Sequence, residues 1–349
     1  MDLLKRINAL SKLGMGAILI TLIFVLSFLS PVFLTSANLF NVLLQVSINT
    51  IVAMGMTFVI LTAGIDLSIG STVAVSAVSL GTFLHKGMAW AGSEASWAIL
   101  FLISAIAIIA ALAVGGICGW LNGFAVAYCR VPPFIATLGS MSILRGLALI
   151  ITQGKTLYTF PAPFRWLGSG YIGPVPVPVI IALFVTLLSL YITTQTRFGR
   201  HIYATGGNRE AVRLSGIDVS KVELWAYTIG GLTAGLGAVV LVGRLNSAQP
   251  IAGTGYEMEA IAAVVIGGTS LAGGVGGVWG TLMGALILGI LQNGLTLMNI
   301  SSYSQRLIIG IVIIAAVFFD QIRHGHTQEL MRLWKTLKKF RRGKGETYE

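Results

Sequence analysis

Side chains able to do chemistry are few in this sequence. The 349-residue chain carries 12 acidic residues and 4 histidines. Most of the acids lie near the ends or in one polar segment. Asp66, Glu94, Glu257 and Glu259 are the exceptions, and His85 is the only histidine before residue 200. Nowhere do His, Cys, Asp and Glu cluster at the spacings that hold zinc. Cys118 and Cys129 lie in or beside one apolar run, and eleven residues of helix would separate them by ~16 Å, too far for a disulfide. Gly154-Lys155-Thr156 matches the end of a phosphate-binding loop. The full pattern needs another glycine five residues earlier, where Leu149 stands. We therefore expect no catalytic residue, no metal site and no cofactor, and no hydrolysis of ATP by this chain.

Three stretches carry recognition chemistry instead. In Thr62–Ser71, "TAGIDLSIGS", glycines on both sides of Asp66 and several hydroxyls predict an unwound, hydrogen-bonded turn. Such backbone is tolerated at membrane depth only against protein or a cavity. Asp66 also suits a cap for a helix starting near Leu67. Ser247–Gly280 is nearly free of charge and rich in glycine and hydroxyls. Its Gly276, Gly280 and Gly284 register, four apart, suits close helix packing as well as pore lining. Thr196–Gly216 holds Arg197, Arg200, Arg209, Glu210 and Arg213, in a chain that is only 10% charged. Here Asn208 suits an N-cap, Glu210 the first turn, Arg213 the end, and Gly216 the terminator of a short helix. Two turns are not stable alone in water, so such a helix needs a surface to dock on. The plainer alternative is a loop that is basic only because of its side of the membrane.

The elements that position these stretches are apolar. The chain is 55% hydrophobic with mean hydropathy +0.87, which marks an all-α polytopic membrane protein. Ten spans are predicted, at about 16–34, 42–62, 69–84, 97–128, 132–152, 177–195, 222–243, 258–271, 275–298 and 303–319, from the ~20-residue length a bilayer crossing needs. The third and eighth are short and glycine-rich, hence broken or only partly spanning. The fourth is over-long, hence tilted or kinked. The first apolar run is longer than a signal-peptide core and is expected to be retained.

With the N-terminus inside, 17 of the 23 Lys and Arg fall on inner segments and five on outer loops, leaving Arg145 within span 5. That bias places both ends in the cytoplasm. It also accounts for the net charge of +11 without nucleic acid. In the tail, Leu330, Leu333, Trp334 and Leu337 recur at helical spacing among Lys and Arg, which reads either as an interfacial helix on lipid or as a frayed basic end. Only Arg145 is clearly an intramembrane charge. That is thin for a proton- or sodium-coupled carrier, so the energy for any transport is expected from a separate subunit. A receptor or structural membrane protein is the third reading, disfavoured by glycine-rich turns at membrane depth.

"LTAGIDLSIGS", "GRHIYATGGNREAVRLSGI" and "SAQPIAGTGYEMEAIAAVVIGGTSLAGG", in this order, resemble the membrane subunits of bacterial ABC importers for monosaccharides, most closely the ribose-type permeases. The resemblance covers nearly all of the chain. It implies a single transmembrane permease domain over 1–349, of type II-like architecture, in the bacterial inner membrane, with a short cytoplasmic segment 1–15, a coupling loop 196–221 and a basic cytoplasmic tail 320–349. It further implies a homodimer, an ATPase subunit that binds the ATP and Mg, a periplasmic sugar-binding protein, and ribose as cargo. Galactose, allose and autoinducer-2 are the alternatives within the class. On this reading Gly207, Asn208, Arg209, Glu210, Ala211, Val212, Arg213 and Leu214 form the coupling helix. Ala211, Val212 and Leu214 would bury against the ATPase. Gln45, Asn49, Asp66, Arg145, Asn246, Gln249 and Asn293 are candidates to line the sugar path, with interhelical hydrogen bonding as the competing role. Arg165, Arg244 and Arg306 are candidates to meet acidic residues of the binding protein.

Overall fold

A computed structural model describes residues 2–92 and 95–323. The predicted interfacial helix at 330–337 lies outside the described residues. The helices are α1 (Asp2–Leu29), α2 (Ser36–Leu61), α3 (Ile69–Ala91), α4 (Trp97–Ala127), α5 (Pro133–Thr152), α6 (Ala162–Ser169), α7 (Val177–Gln195), α8 (Arg197–Gly207), α9 (Arg209–Leu214), α10 (Val219–Leu245), α11 (Tyr256–Ile266), α12 (Val278–Leu297) and α13 (Ser302–Arg323). Every predicted span overlaps one of these helices, but the third, expected to be short or broken, is one continuous helix of 23 residues. Polar residues just before the apolar runs set several starts: the Oγ atoms of Thr35 and Ser96 accept from Asn38 N and Ile99 N, the N-cap bond that satisfies a free backbone donor. Prolines at the first turns of α5 and α7 sit where no N–H partner is lost.

Six helices, α2, α4, α5, α7, α10 and α12, are long and apolar enough to cross a membrane. Shorter apolar helices occupy 14–29 and 302–318. Ten crossings is therefore more than length and apolarity alone establish. The over-long fourth span is one continuous helix of 31 residues. The eighth is short, as expected: α11 has 11 residues, about half of what a bilayer requires.

The core is built around α10. Gly115 and Gly119 of α4 face Gly231 and Gly235 of α10 so closely that a Cβ on any of them would run into the opposite backbone. Close approach of this kind is what joins helices in lipid, where apolar burial gives no preference for protein over acyl chain. Gly123 continues the contact onto Leu224 and Tyr227. Against the other side of α10 lie α2, through Gly55 and Thr233, and the buried body of α3.

Beyond α10 the chain re-enters the molecule. Asn246, in the left-handed region at φ 48°, ends the helix. The strand Ser247–Ala248 then pairs antiparallel with the strand Leu157–Tyr158. Residues 249–255 descend along α3, from Ala248 beside Gly81 to Gly253 beside Gly70, about three helical turns further in. There α11 begins, and its far end meets α12, where Gly267 and Ala263 lie against Gly280 and Gly284. Gly276 is not part of that packing. Its φ of +118° puts it in the turn before α12, so the predicted four-residue glycine register keeps only its last two members.

Candidate functional site

The polar segment at 196–216 is two helices rather than one helix and a loop. Thr196 caps α8 through Gly199 N at 3.1 Å. Asn208 caps α9 through Ala211 N at 2.9 Å. Glu210 lies in the first turn of α9, Arg213 in its last, and Gly216 follows at φ +80°. The predicted cap, charges and terminator stand, but α9 spans only Arg209–Leu214, and Gly207 ends the preceding helix. The sequence hid α8 because its apolar residues, Phe198, Ile202 and Tyr203, are spread among charges. They bury one face against Phe58, Leu61 and Val222.

Two ion pairs on α9 have different surroundings. Arg209 Nη2 meets Glu223 Oε2 at 2.9 Å, and the Glu223 side chain is only 6% exposed. Arg213 forms a two-pronged pair with Glu210 on an open surface. Hydrogen bonding from Arg213 holds the Glu210 carboxyl below its ordinary range. Burial pushes the Tyr203 phenol up. Val212 is buried against the chain's own helices, whereas Ala211 and Leu214 are exposed. The expected docking set therefore loses Val212 to the permease itself and retains Ala211 and Leu214. Below α9 opens a cleft of about 800 Å³ whose lining includes Arg130, Thr205, Arg209, Glu210, Arg213 and Glu223.

The α8–α9 unit is tied to the membrane helices by backbone. Gly206 packs against Leu61 O and the Gly273–Gly274 turn, and Gly274 N donates to Leu61 O at 3.0 Å. The ends of α2, α8 and the turn before α12 thus share one face. The 62–68 turn lies beside them. Asp66 does not cap α3 directly: its Oδ1 accepts from Ser68 N at 2.9 Å and Ser68 Oγ at 2.7 Å, and Ser68 is the residue before the helix. Asn122 Nδ2 donates to Ser68 Oγ at 2.7 Å, and Ser140 Oγ donates to Asn122 Oδ1. Tyr227 and Thr137 hydroxyls both donate to Ile65 O. The turn is unwound and hydrogen-bonded, as its glycines and hydroxyls predict.

The seven path candidates do not form one cluster. Gln45 and Asn49 meet Gln292 and Glu259: Gln45 Nε2 donates to Gln292 Oε1 at 3.1 Å, Gln292 Nε2 to Glu259 Oε1 at 3.1 Å, and Asn49 Nδ2 to Glu259 Oε2 at 2.7 Å. Asn293 exchanges reciprocal amide bonds with Asn38 at 2.8 and 3.0 Å. Arg145 Nη1 braces the re-entrant segment by donating to the carbonyls of Pro250 (3.0 Å) and Ala252 (2.8 Å). Asn246 Oδ1 accepts from Phe160 N, and Gln249 Nε2 reaches Ser247 Oγ at 3.4 Å. Asp66 sits apart, near the α8–α9 face. Arg165 and Arg306 are exposed and Arg244 is half-buried; none forms an ion pair among the described residues. Sequence reasoning missed Glu223, Gln292, Asn122 and Asn38. Each is a polar residue in a helix whose partner comes from another element, which local sequence does not specify.

Comparison with known proteins adds a family. The model for the branched-chain amino acid transport system / permease component matches residues 38–317. The ribose import permease protein of Escherichia coli K12 is 48% identical over 306 residues, covering 86% of this chain and 91% of the relative. That of Bacillus subtilis is 42% identical over 322 residues, covering 91% and 96%. The D-allose transport system permease protein of Escherichia coli K12 is 40% identical over 313 residues, covering 89% and 92%. No solved structure matches the chain.

Proposed function

We propose, from the premise that this chain belongs to the branched-chain amino acid transport system / permease component family, that it is the membrane-spanning permease of an ATP-driven ABC importer carrying ribose inward. As a family member it is a multi-pass membrane transport subunit rather than an enzyme. The observation that carries the cargo assignment is the identity of 42–48% to ribose import permeases over most of both chains. Allose is the second reading, favoured by the relative at 40%.

The working complex on this reading holds two permease copies, two ATPases that bind ATP and Mg, and a periplasmic binding protein. Ten crossings of type II-like arrangement leave both ends in the cytoplasm, a reading that the Lys and Arg bias supports. The α8–α9 unit then faces the cytoplasm, and α9 is the coupling helix. Leu214 and Ala211 offer it an apolar contact, and the mutual Glu210–Arg213 pair a polar one. Arg165, Arg244 and Arg306 face outward to steer the binding protein, which is chiefly an effect on association rate. Sugar passes along polar positions that include Gln45 and Asn49, with contacts few enough to release it.

Reconstitution with the ATPase and binding protein, loaded with radiolabelled ribose, allose, xylose or galactose, tests the assignment. ATP-dependent accumulation of ribose ahead of the others is expected. Preference for another sugar replaces the cargo, and accumulation of none removes the reading. Leu214→Asp with Arg213→Glu is expected to lose the co-purifying ATPase while the permease still inserts. Wild-type co-purification and hydrolysis would sink the coupling assignment. Cysteines at 86, 155 and 221 on a cysteine-free background report orientation: outside-only reagents should reach the first two and miss the third.

A further inference from the structure

Glu259 is a carboxylate level with Asn49, inside the predicted second span, and no cation neutralises it among the described residues. It lies in the first turns of α11, half-buried, and forms no ion pair among the described residues. Its two oxygens are held by amides instead, from Asn49 on α2 and Gln292 on α12. If the cluster served only to lock three helices together, a neutral glutamine would make comparable bonds without a charge to desolvate. An ionisable group retained at that depth marks a working site unless something else explains it.

The direction of the hydrogen bonds says what kind of ligand fits. Asn49 and Gln292 point their N–H groups at the carboxylate, and Gln45 points its own at Gln292. The amide oxygens of Asn49 and Gln45 accept no hydrogen bond among the described residues. Those two residues stand four apart on α2 and so share one face. The free valences on that face are mostly acceptors: the two amide oxygens and the remaining lone pairs of Glu259 outnumber the second N–H left on each amide. A surface rich in acceptors suits a ligand that brings several O–H donors on adjacent carbons, which is the chemistry of a sugar. It does not suit a carboxylate or phosphate.

We propose that Glu259, with Asn49 and Gln45, forms a subsite that accepts hydrogen bonds from the hydroxyls of the sugar in transit. The inference rests on the sugar-import reading and deepens it by assigning a residue that reading did not include. The subsite is built from α11, the half-length helix, and α2. Movement of the re-entrant segment therefore changes the distance between its two halves and releases the cargo.

The test uses the reconstituted complex with permease, ATPase and binding protein, and whichever sugar of the panel the unaltered complex accumulates. Glu259→Gln keeps the size and one acceptor. Uptake is expected to fall at least about tenfold, the loss of one charge-assisted bond. Assembly and sugar-independent ATP hydrolysis stay within about twofold, and Glu259→Asp recovers part of the uptake. Asn49→Ala should lower uptake less, and in both variants the preference for the parent sugar over its monodeoxy analogues narrows. Wild-type uptake and preference in Glu259→Gln overturn the subsite. So does a loss of uptake that appears only with loss of assembly, because the cluster is then a helix lock. An unaltered complex that accumulates no sugar overturns the import reading and the subsite with it.

Discussion

Helices α10 and α5 are of similar apolarity, yet 83% of the apolar stretch of α10 lies inside the molecule and only 17% of that of α5 does. The most apolar of the six, α4, is 28% buried. In water that order would be reversed. In lipid, acyl chains accept a leucine as well as a protein core does, so apolarity selects which segments enter the membrane and not which lie at the centre. Small residues and polar bonds select the centre. α10 is held by glycine contacts along its length. α5 is held by a few side-chain bonds: Arg145 to the re-entrant carbonyls, Ser140 to Asn122, and Thr137 to Ile65. The first helix is attached by close backbone packing along its length, the second by a small apolar contact of Leu144 and Ala148 with α3 and α4 together with these tethers.

The largest effect separates the two modes directly. Gly119→Leu or Gly231→Leu forces a side chain into the opposite backbone. It is expected to cost more than about 3 kcal/mol, the upper end of ordinary overpacking, because a helix backbone cannot yield as a side chain can. Gly146→Leu on α5, where an added Cβ meets nothing, should leave the melting temperature of the detergent-solubilised chain unchanged. Equal destabilisation by both would break the comparison.

Next comes the principal tether. Arg145→Ala removes two charge-assisted bonds to carbonyls and should cost about 2 kcal/mol, near the value of one such bond after water replaces part of it. Its readout is local: hydrogen exchange over residues 249–255 should quicken while the α4–α10 contact stays protected. Unchanged exchange there would mean that the segment is held by its own turns.

A smaller effect compares the two pairs on α9. Arg209→Ala leaves Glu223 without its partner, at a cost of about 1–2 kcal/mol, reduced from the value for a fully buried pair because Arg209 is 58% exposed. Arg213→Ala should leave the thermal stability of the isolated chain as it was. If Arg213→Ala destabilises the isolated chain as much as Arg209→Ala, the partition between internal brace and external contact fails.

The smallest effect is a pH dependence at the start of α10. Asp218 caps that helix through Lys221 N at 3.2 Å, and this bond holds its carboxyl below the ordinary value. A depressed carboxylate contributes stability that is complete above its unfolded pKa and lost as pH falls through its folded one. Exchange in the first turn of α10 should therefore quicken only below the ordinary carboxylate range. Asp218→Asn, which keeps an acceptor without titrating, should flatten the profile.

Much of this could be read in the sequence. Long apolar runs located the membrane helices, Asn208 announced the start of α9, and the excess of Lys and Arg between spans 6 and 7 marked the segment that became α8 and α9. The Gly-Ile-Asp-Leu-Ser turn and the shortness of the eighth span were legible too, because backbone unsatisfied by a helix needs glycine and hydroxyls at that depth. The partners were not. Gln45 and Asn49 stood out as polar residues in an apolar helix, but which side chain each would meet depends on a helix more than 200 residues away.

What the sequence by itself determined is what local physics can fix: which long apolar segments are helical, that a capped turn of helix starts after Asn208, and that the chain lives in a membrane. Only the tertiary structure decided which face of each helix is inside. It turned Val212 inward and left Leu214 exposed on one six-residue helix. It divided seven path candidates among separate places, and it gave Glu259 two amides in place of a cation. Those outcomes depend on how closely backbones can approach, through Gly119 against Gly231 and Gly206 against Leu61. That approach is a property of two surfaces meeting, which neither segment encodes alone.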